Sequence, residues 1–122
     1  MTASTMNRRV QRVADSLREL LATLLLREVK DPRIGMVTLT AVHLTADLRH
    51  ARVFFSILGP ADKRQETLRG LQSASGFLRS EIARRLKLRV VPDLVFEFDP
   101  SLEEADRVLR LLRESMPKDE ES

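Results

Sequence analysis

The sequence predicts an α+β domain of two layers, with helices stacked on one face of a three-stranded sheet. Two observations predict it. The apolar period switches between helical and alternating spacing in the order αββααβ, with one more helix appended. And 122 residues can bury one hydrophobic core but not two. A single domain is expected over residues 7–114, preceded by a flexible stretch 1–6 and followed by a disordered acidic tail 115–122.

Val10, Val13, Leu17, Leu20, Leu21 and Leu24 recur at steps of one helical turn, with Arg8, Arg12, Asp15 and Glu19 opposite, which predicts a helix over 8–27. Pro32 ends it and Gly35 permits a turn. From Val37 to Leu44 apolar residues alternate and then change phase near Ala41, the sign of a bulge. Ala46–Arg49 makes a turn, and Ala51, Val53, Phe55 and Ile57 complete a hairpin that Gly59 and Pro60 close. Asp62 is placed to cap a helix carrying Leu68 and Leu71. Leu78, Ile82 and Leu86 define a second helix over 77–88, and Gly76 between the two predicts a kink or a close backbone approach. Beyond Pro92, Leu94, Phe96 and Phe98 read as a third strand. Ser101 and Glu104 read as a capping box for a last helix bearing Leu102, Ala105, Val108, Leu109 and Leu112.

Composition narrows the chemistry. The chain has no cysteine, so disulfides, thiolate-bound zinc and a cysteine nucleophile are excluded. The N-terminus lacks the apolar segment of a secretory signal, and the longest apolar run, Leu20–Leu26, is far short of a membrane span, so a cytoplasmic protein with no membrane partner is expected. The first 90 residues sum to +9 and the last 32 to −6, a polarity that fits a polyanion-binding body with an acidic end. No phosphate-binding Gly-x-x-x-x-Gly-Lys, serine elbow or paired carboxylates occur, so no catalytic residues are assigned and no enzyme is expected. His43, Asp47 and His50 lie along a strand and its turn as ordinary surface groups, and neither a metal nor another cofactor is expected.

The αββααβ order is that of the second topological class of KH domains, in which a Gly-x-x-Gly loop between two helices clamps a nucleic-acid backbone. That loop is missing: no two of Gly35, Gly59, Gly70 and Gly76 stand three apart, and the junction reads Ala74 Ser75 Gly76. A KH-like fold with Ala-x-Gly at a kinked helix pair resembles the ribosome-binding factor A family of bacterial small-subunit assembly factors. So do Arg12 Val13 Ala14, the run Arg27–Gly35, the turn Asp47–Ala51, and the stretches Ala74–Ser80, Leu88–Leu94 and Phe98–Leu102, in that order across residues 7–112. The resemblance implies a non-enzymatic protein that binds the 30S subunit through 16S rRNA near the neck and decoding region. It also implies a role in late maturation, including processing of the 16S rRNA 5′ end, with greatest weight in the cold. Other assembly factors are further implied partners, and a monomer is expected.

Arg79, Arg84, Arg85, Lys87 and Arg89 place five cations within eleven residues, and are expected to contact phosphate; the competing reading is a solvated face partnered by Glu81. Arg8, Arg9 and Arg12 form a second cluster, set against the dipole of the first helix. Ala74, Ser75 and Gly76 are the third candidate: the kink either lets helices pack or exposes amides to phosphate. Phe54, opposite Phe55, is a weaker candidate for stacking on a base. The competing function class is a protein-interaction or regulatory module whose surface happens to be basic.

Overall fold

The computed structural model describes residues 2–57, 60 and 62–116, with side chains from Arg8 onward. The elements are α1 (Thr2–Arg27), β1 (Val37–Leu44), β2 (His50–Ile57), α2 (Lys63–Leu86), β3 (Asp93–Phe98) and α3 (Ser101–Ser115). The sheet order is β1-β2-β3, antiparallel between β1 and β2 and parallel between β2 and β3, so the crossover from β2 to β3 is made by α2. Helix α1 packs on β1 and α2 on β3. Between the layers Leu17, Leu21 and Leu24 of α1 meet Leu71, Leu78 and Ile82 of α2 and Val53 and Phe55 of β2, all fully buried.

The hairpin matches the sequence reading, bulge included. Leu39 pairs with Phe55 and Ala41 with Phe54, so Thr40 is the extra residue, and both Leu39 and Val42 stay buried in spite of their odd spacing. The Thr40 hydroxyl donates to Asp99 Oδ2 at 2.6 Å across the sheet.

Four expectations are corrected. The two central helices are one 24-residue helix, α2, unbroken at Gly76. The reason is continuity of the apolar stripe: Thr67, Leu71, Leu78 and Ile82 are buried and Ala74 half-buried, at spacings that keep phase through the glycine. Gly76 makes no close approach either, since a Cβ there would meet nothing within 4 Å; the close approach is at Gly70, where a Cβ would lie 2.8 Å from Ile34 Cγ1. Ser101 does not cap α3: it is the first helical residue, and its amide donates to Asp99 Oδ1 at 2.9 Å. Asp62 holds the N-cap position of α2 but makes no side-chain hydrogen bond there. Helix α1 begins at Thr2 rather than at residue 8. Gly59, with its part in the expected turn, Met1 and the tail beyond Met116 lie outside the described residues. None of the described helices is long and apolar enough to cross a membrane.

Candidate nucleic-acid interface

Two of the sequence's basic clusters meet at one end of the molecule. A cavity of about 340 Å³ is lined by Arg9, Val10 and Val13 of α1, by Ala46, Asp47 and Leu48 of the β1–β2 turn, and by Leu88, Arg89 and Val90 after α2. Arg9 and Arg89 therefore share a rim. The apolar stripe of α1 explains the placement: Val10 and Val13 continue the face that Leu17 and Leu21 bury, which carries Arg9 to the hairpin turn.

The turn itself is stapled by side chains. Thr45 Oγ1 donates to Asp47 Oδ1 at 2.7 Å and accepts from the His50 amide at 3.1 Å, and the Arg49 amide donates to the same Asp47 oxygen at 3.1 Å. The Thr45 hydroxyl, and then the Arg49 amide, hold the Asp47 carboxyl below its ordinary value. Arg49 is exposed and makes no ion pair among the described residues. It joins this end of the molecule although sequence reasoning assigned it no role; the signal was present, since the turn could be read and a cation stood in it.

Backbone strain gathers at the same end. Among the described residues the non-glycine residues with positive φ are Leu48, at 64°, and Lys87, at 53°. Lys87 is the left-handed cap of α2, a position that glycine fills without strain. A lysine there forgoes roughly 1 kcal/mol of stability and retains a charge beside Leu88 and Arg89. Arg8, Arg9, Arg12, Lys87 and Arg89 are all exposed and, among the described residues, make no ion pair.

The remaining cations of the second cluster have partners. Arg84 pairs with Glu81 at 2.5 Å, and Arg85 is shared between Glu81 at 2.9 Å and Glu28 at 2.8 Å. Both arginines lower the Glu81 carboxyl, Arg84 the more strongly. Arg79 donates to the carbonyls of Pro92 at 3.1 Å and Val91 at 3.2 Å, so it holds the segment that carries Arg89. Ala74 and Ser75 are half-buried and Gly76 exposed in the middle of α2. Inside a helix each amide is committed to the carbonyl one turn back, so residues 74–76, all within α2, offer no free amides to phosphate. Phe54 is half-buried, with the Arg52 guanidinium 5.0 Å from its centroid and His43 edge-on at 4.9 Å. Arg52 is in turn held by Glu97 at 2.7 Å, leaving little ring surface for a base.

Sheet topology, the helices on one face and the basic end define a KH-like α+β domain that lacks the Gly-x-x-Gly clamp. The family model for ribosome-binding factor A matches residues 9–112, and the chain belongs to that family. Among its relatives, ribosome-binding factor A of Natranaerobius thermophilus is 48% identical over 106 residues, covering 87% of this chain and 81% of the relative. That of Desulforamulus reducens is 46% identical, covering 89% and 91%. The crystal structure of ribosome-binding factor A from Thermus thermophilus superposes with a TM-score of 0.66 at 27% identity, covering 73% of this chain and 93% of that one. A homology model of the Thermus thermophilus factor, fitted into a cryo-electron microscopy map of a 30S complex, gives 0.60 at 28% identity, covering 71% and 91%.

Proposed function

We propose that this protein is a non-catalytic assembly factor that binds the small ribosomal subunit through 16S rRNA and promotes its late maturation, including formation of the 16S rRNA 5′ end, most of all in the cold. Family membership over residues 9–112 carries the reading. A relative whose coordinates were fitted into a 30S complex supports the choice of partner. The basic end supplies the chemistry: Arg8, Arg9 and Arg12 from α1, Arg49 from the turn, and Lys87 and Arg89 after α2 contact phosphate. Arg79 positions the Arg89 segment, while Arg84 is taken up by Glu81 within α2 and Arg85 ties α2 to Glu28. Ala74, Ser75 and Gly76 offer a small-residue surface on which an RNA backbone can lie close to α2. With few aromatic surfaces, recognition rests on shape and phosphate placement rather than base identity.

Binding to purified small subunits across a salt series tests this. Arg9→Ala with Arg89→Ala is expected to weaken binding and to reduce the slope of log K against log salt by roughly one unit per lost phosphate contact. Arg84→Ala alone is expected to change the slope little, because Glu81 already neutralises that cation. An unchanged slope in the double variant removes this end from the interface. For the maturation step, cells lacking the protein are expected to accumulate 16S rRNA with unprocessed 5′ ends at low temperature; mature ends throughout would refute that part.

A further inference from the structure

The cavity at the basic end has an apolar interior that contact with phosphate leaves unused. Val10 and Val13 of α1, Leu48 of the β1–β2 turn, and Leu88 and Val90 after α2 line it, with Arg9 and Arg89 among them as the only cations. Val13 and Leu88 pack against the core, which fixes that part of the wall, whereas Val90 is left 40% exposed. A phosphate, strongly hydrated, gains nothing from valine and leucine side chains. A flat, weakly hydrated group does.

The walls are set before any ligand arrives. Leu48 has a φ of 64°, in the left-handed region where glycine would hold the same turn without strain and without a side chain. The strained backbone thus delivers a leucine to the cavity. The turn that imposes this conformation is closed by the Leu48 amide, which donates to the Thr45 carbonyl at 2.8 Å, and by the Thr45 hydroxyl and the Arg49 amide, which both donate to Asp47 Oδ1. Asp47, the one acidic residue among those lining the cavity, therefore serves the turn and lies within the field of the Arg49 cation. On the other wall Arg79 holds the carbonyls of Val91 and Pro92, directly after Val90. Side chains held in this way lose little further freedom when a ligand enters.

We propose that the cavity receives one unstacked nucleobase of the bound RNA, an inference that rests on the assembly-factor reading above. The base enters between the Val10–Val13 face of α1 and the side chains of Leu48 and Val90, while Arg9 and Arg89 hold the phosphates on either side of that nucleotide. The volume of about 340 Å³ lies at the lower end for small-molecule sites, roughly 300 Å³ and upward, a size for one nucleoside and not for a stretch of duplex. The chemistry is complementary as well. Arg9 and Arg89 make no ion pair among the described residues and flank an apolar floor, and a nucleotide is anionic at its backbone and flat and weakly polar across its base. Proteins that take up splayed bases stack them on aromatic rings or on guanidinium planes. No aromatic residue lines this cavity, so the aliphatic walls and the two guanidinium groups take that part. Such walls meet the face of any base, so the cavity fixes where an unstacked nucleotide lies and not which one it is.

Methyl-detected NMR of the whole protein, titrated with adenosine 5′-monophosphate, tests the pocket apart from the ribosome. An aromatic ring seated over methyl groups shields them, so the Val10, Val13, Leu48 and Val90 signals should move upfield and saturate at millimolar nucleotide. Ribose 5-phosphate carries the same phosphate without the ring and should leave those signals in place. Ala46 is exposed and lines the cavity, so Ala46→Trp fills it from the turn without touching the core. This variant should melt as wild type does, lose the nucleotide shifts, and bind purified small subunits about tenfold more weakly at an unchanged salt slope. Leu48→Gly, which relieves the strained position and removes one wall, should weaken the nucleotide shifts without lowering the melting midpoint. Upfield shifts absent with the nucleotide or equal with ribose 5-phosphate, or Ala46→Trp binding small subunits at wild-type strength, would each overturn the base pocket while leaving phosphate contact by Arg9 and Arg89 standing. An unchanged salt slope in Arg9→Ala with Arg89→Ala would instead remove the whole end from the interface, and the pocket with it.

Discussion

Gly70 and Gly76 stand on one helix in opposite surroundings, and that decides what a methyl group does at each. A Cβ at Gly70 would press on Ile34 Cγ1 at 2.8 Å and Arg33 Cβ at 3.2 Å, so Gly70→Ala is expected to destabilise by about 1–3 kcal/mol. At Gly76 the space is open, and Gly76→Ala should stabilise by up to about 1 kcal/mol through helix propensity; urea denaturation of the two variants measures both. Lys87→Gly should likewise raise stability, by about 1 kcal/mol, while weakening attachment to small subunits, a split that a purely structural lysine would not show. Asp31 adds a pH dependence. The Arg33 guanidinium, bonded to it at 2.6 Å, and the Arg33 amide lower its carboxyl from 3.8 to about 2. A carboxyl depressed in the folded state stabilises above its unfolded value and loses that contribution as pH falls through the folded one. Stability should therefore drop between pH 3.8 and about 2, and Asp31→Asn should flatten that part of the curve in acid titrations followed by circular dichroism.

At the scale of elements, α3 shows how a helix can be fully formed and yet contribute no core. Its start is organised by Asp99, which accepts from Thr40 and from the Ser101 amide, and whose carboxyl is lowered mainly by the Thr40 hydroxyl. Asp99→Ala should speed amide hydrogen exchange through α3 while leaving the amides around Leu71 and Ile82 protected, because the core helices do not depend on it. Equal acceleration in α2 would show that the tie holds the body as well. The bulge that feeds this tie was legible, since moving the apolar phase from Val37 and Leu39 to Val42 and Leu44 requires an extra residue. The unbroken α2 was also legible in the spacing of Leu71, Leu78 and Ile82, but the local cost of Gly76 points to a break there, and tertiary packing overrides that cost. The Ser101–Glu104 pattern misled because two acceptors compete for one amide, and Asp99, fixed by Thr40, is the nearer.

Across the whole molecule the charge separates along the chain and also in space. The basic cavity joins α1, the hairpin turn and the segment after α2, while an apolar groove between α1 and β1 and the root of α3 occupy the other end. Truncation after Pro100 is thus expected to leave the thermal midpoint of the body unchanged, since no residue of α3 is buried, and to leave the salt slope for small-subunit binding intact. A large fall in midpoint would assign α3 a stabilising contact with the body.

The sequence by itself determined the α+β class, the hairpin with its bulge, the apolar faces of α1 and β3 and the family, because each is written in local period or in motif order. It also named Arg9 and Arg89 as candidates, though in separate clusters. Only the tertiary structure decided that these two share a cavity, that Arg84 and Arg85 are taken up by Glu81 and Glu28, and that Gly70 rather than Gly76 meets another segment. The physical reason is the same throughout. Periodicity reports which side of an element is apolar, whereas ion pairing and close approach depend on which elements the fold sets side by side, and residues far apart in the chain carry no local mark of their neighbours.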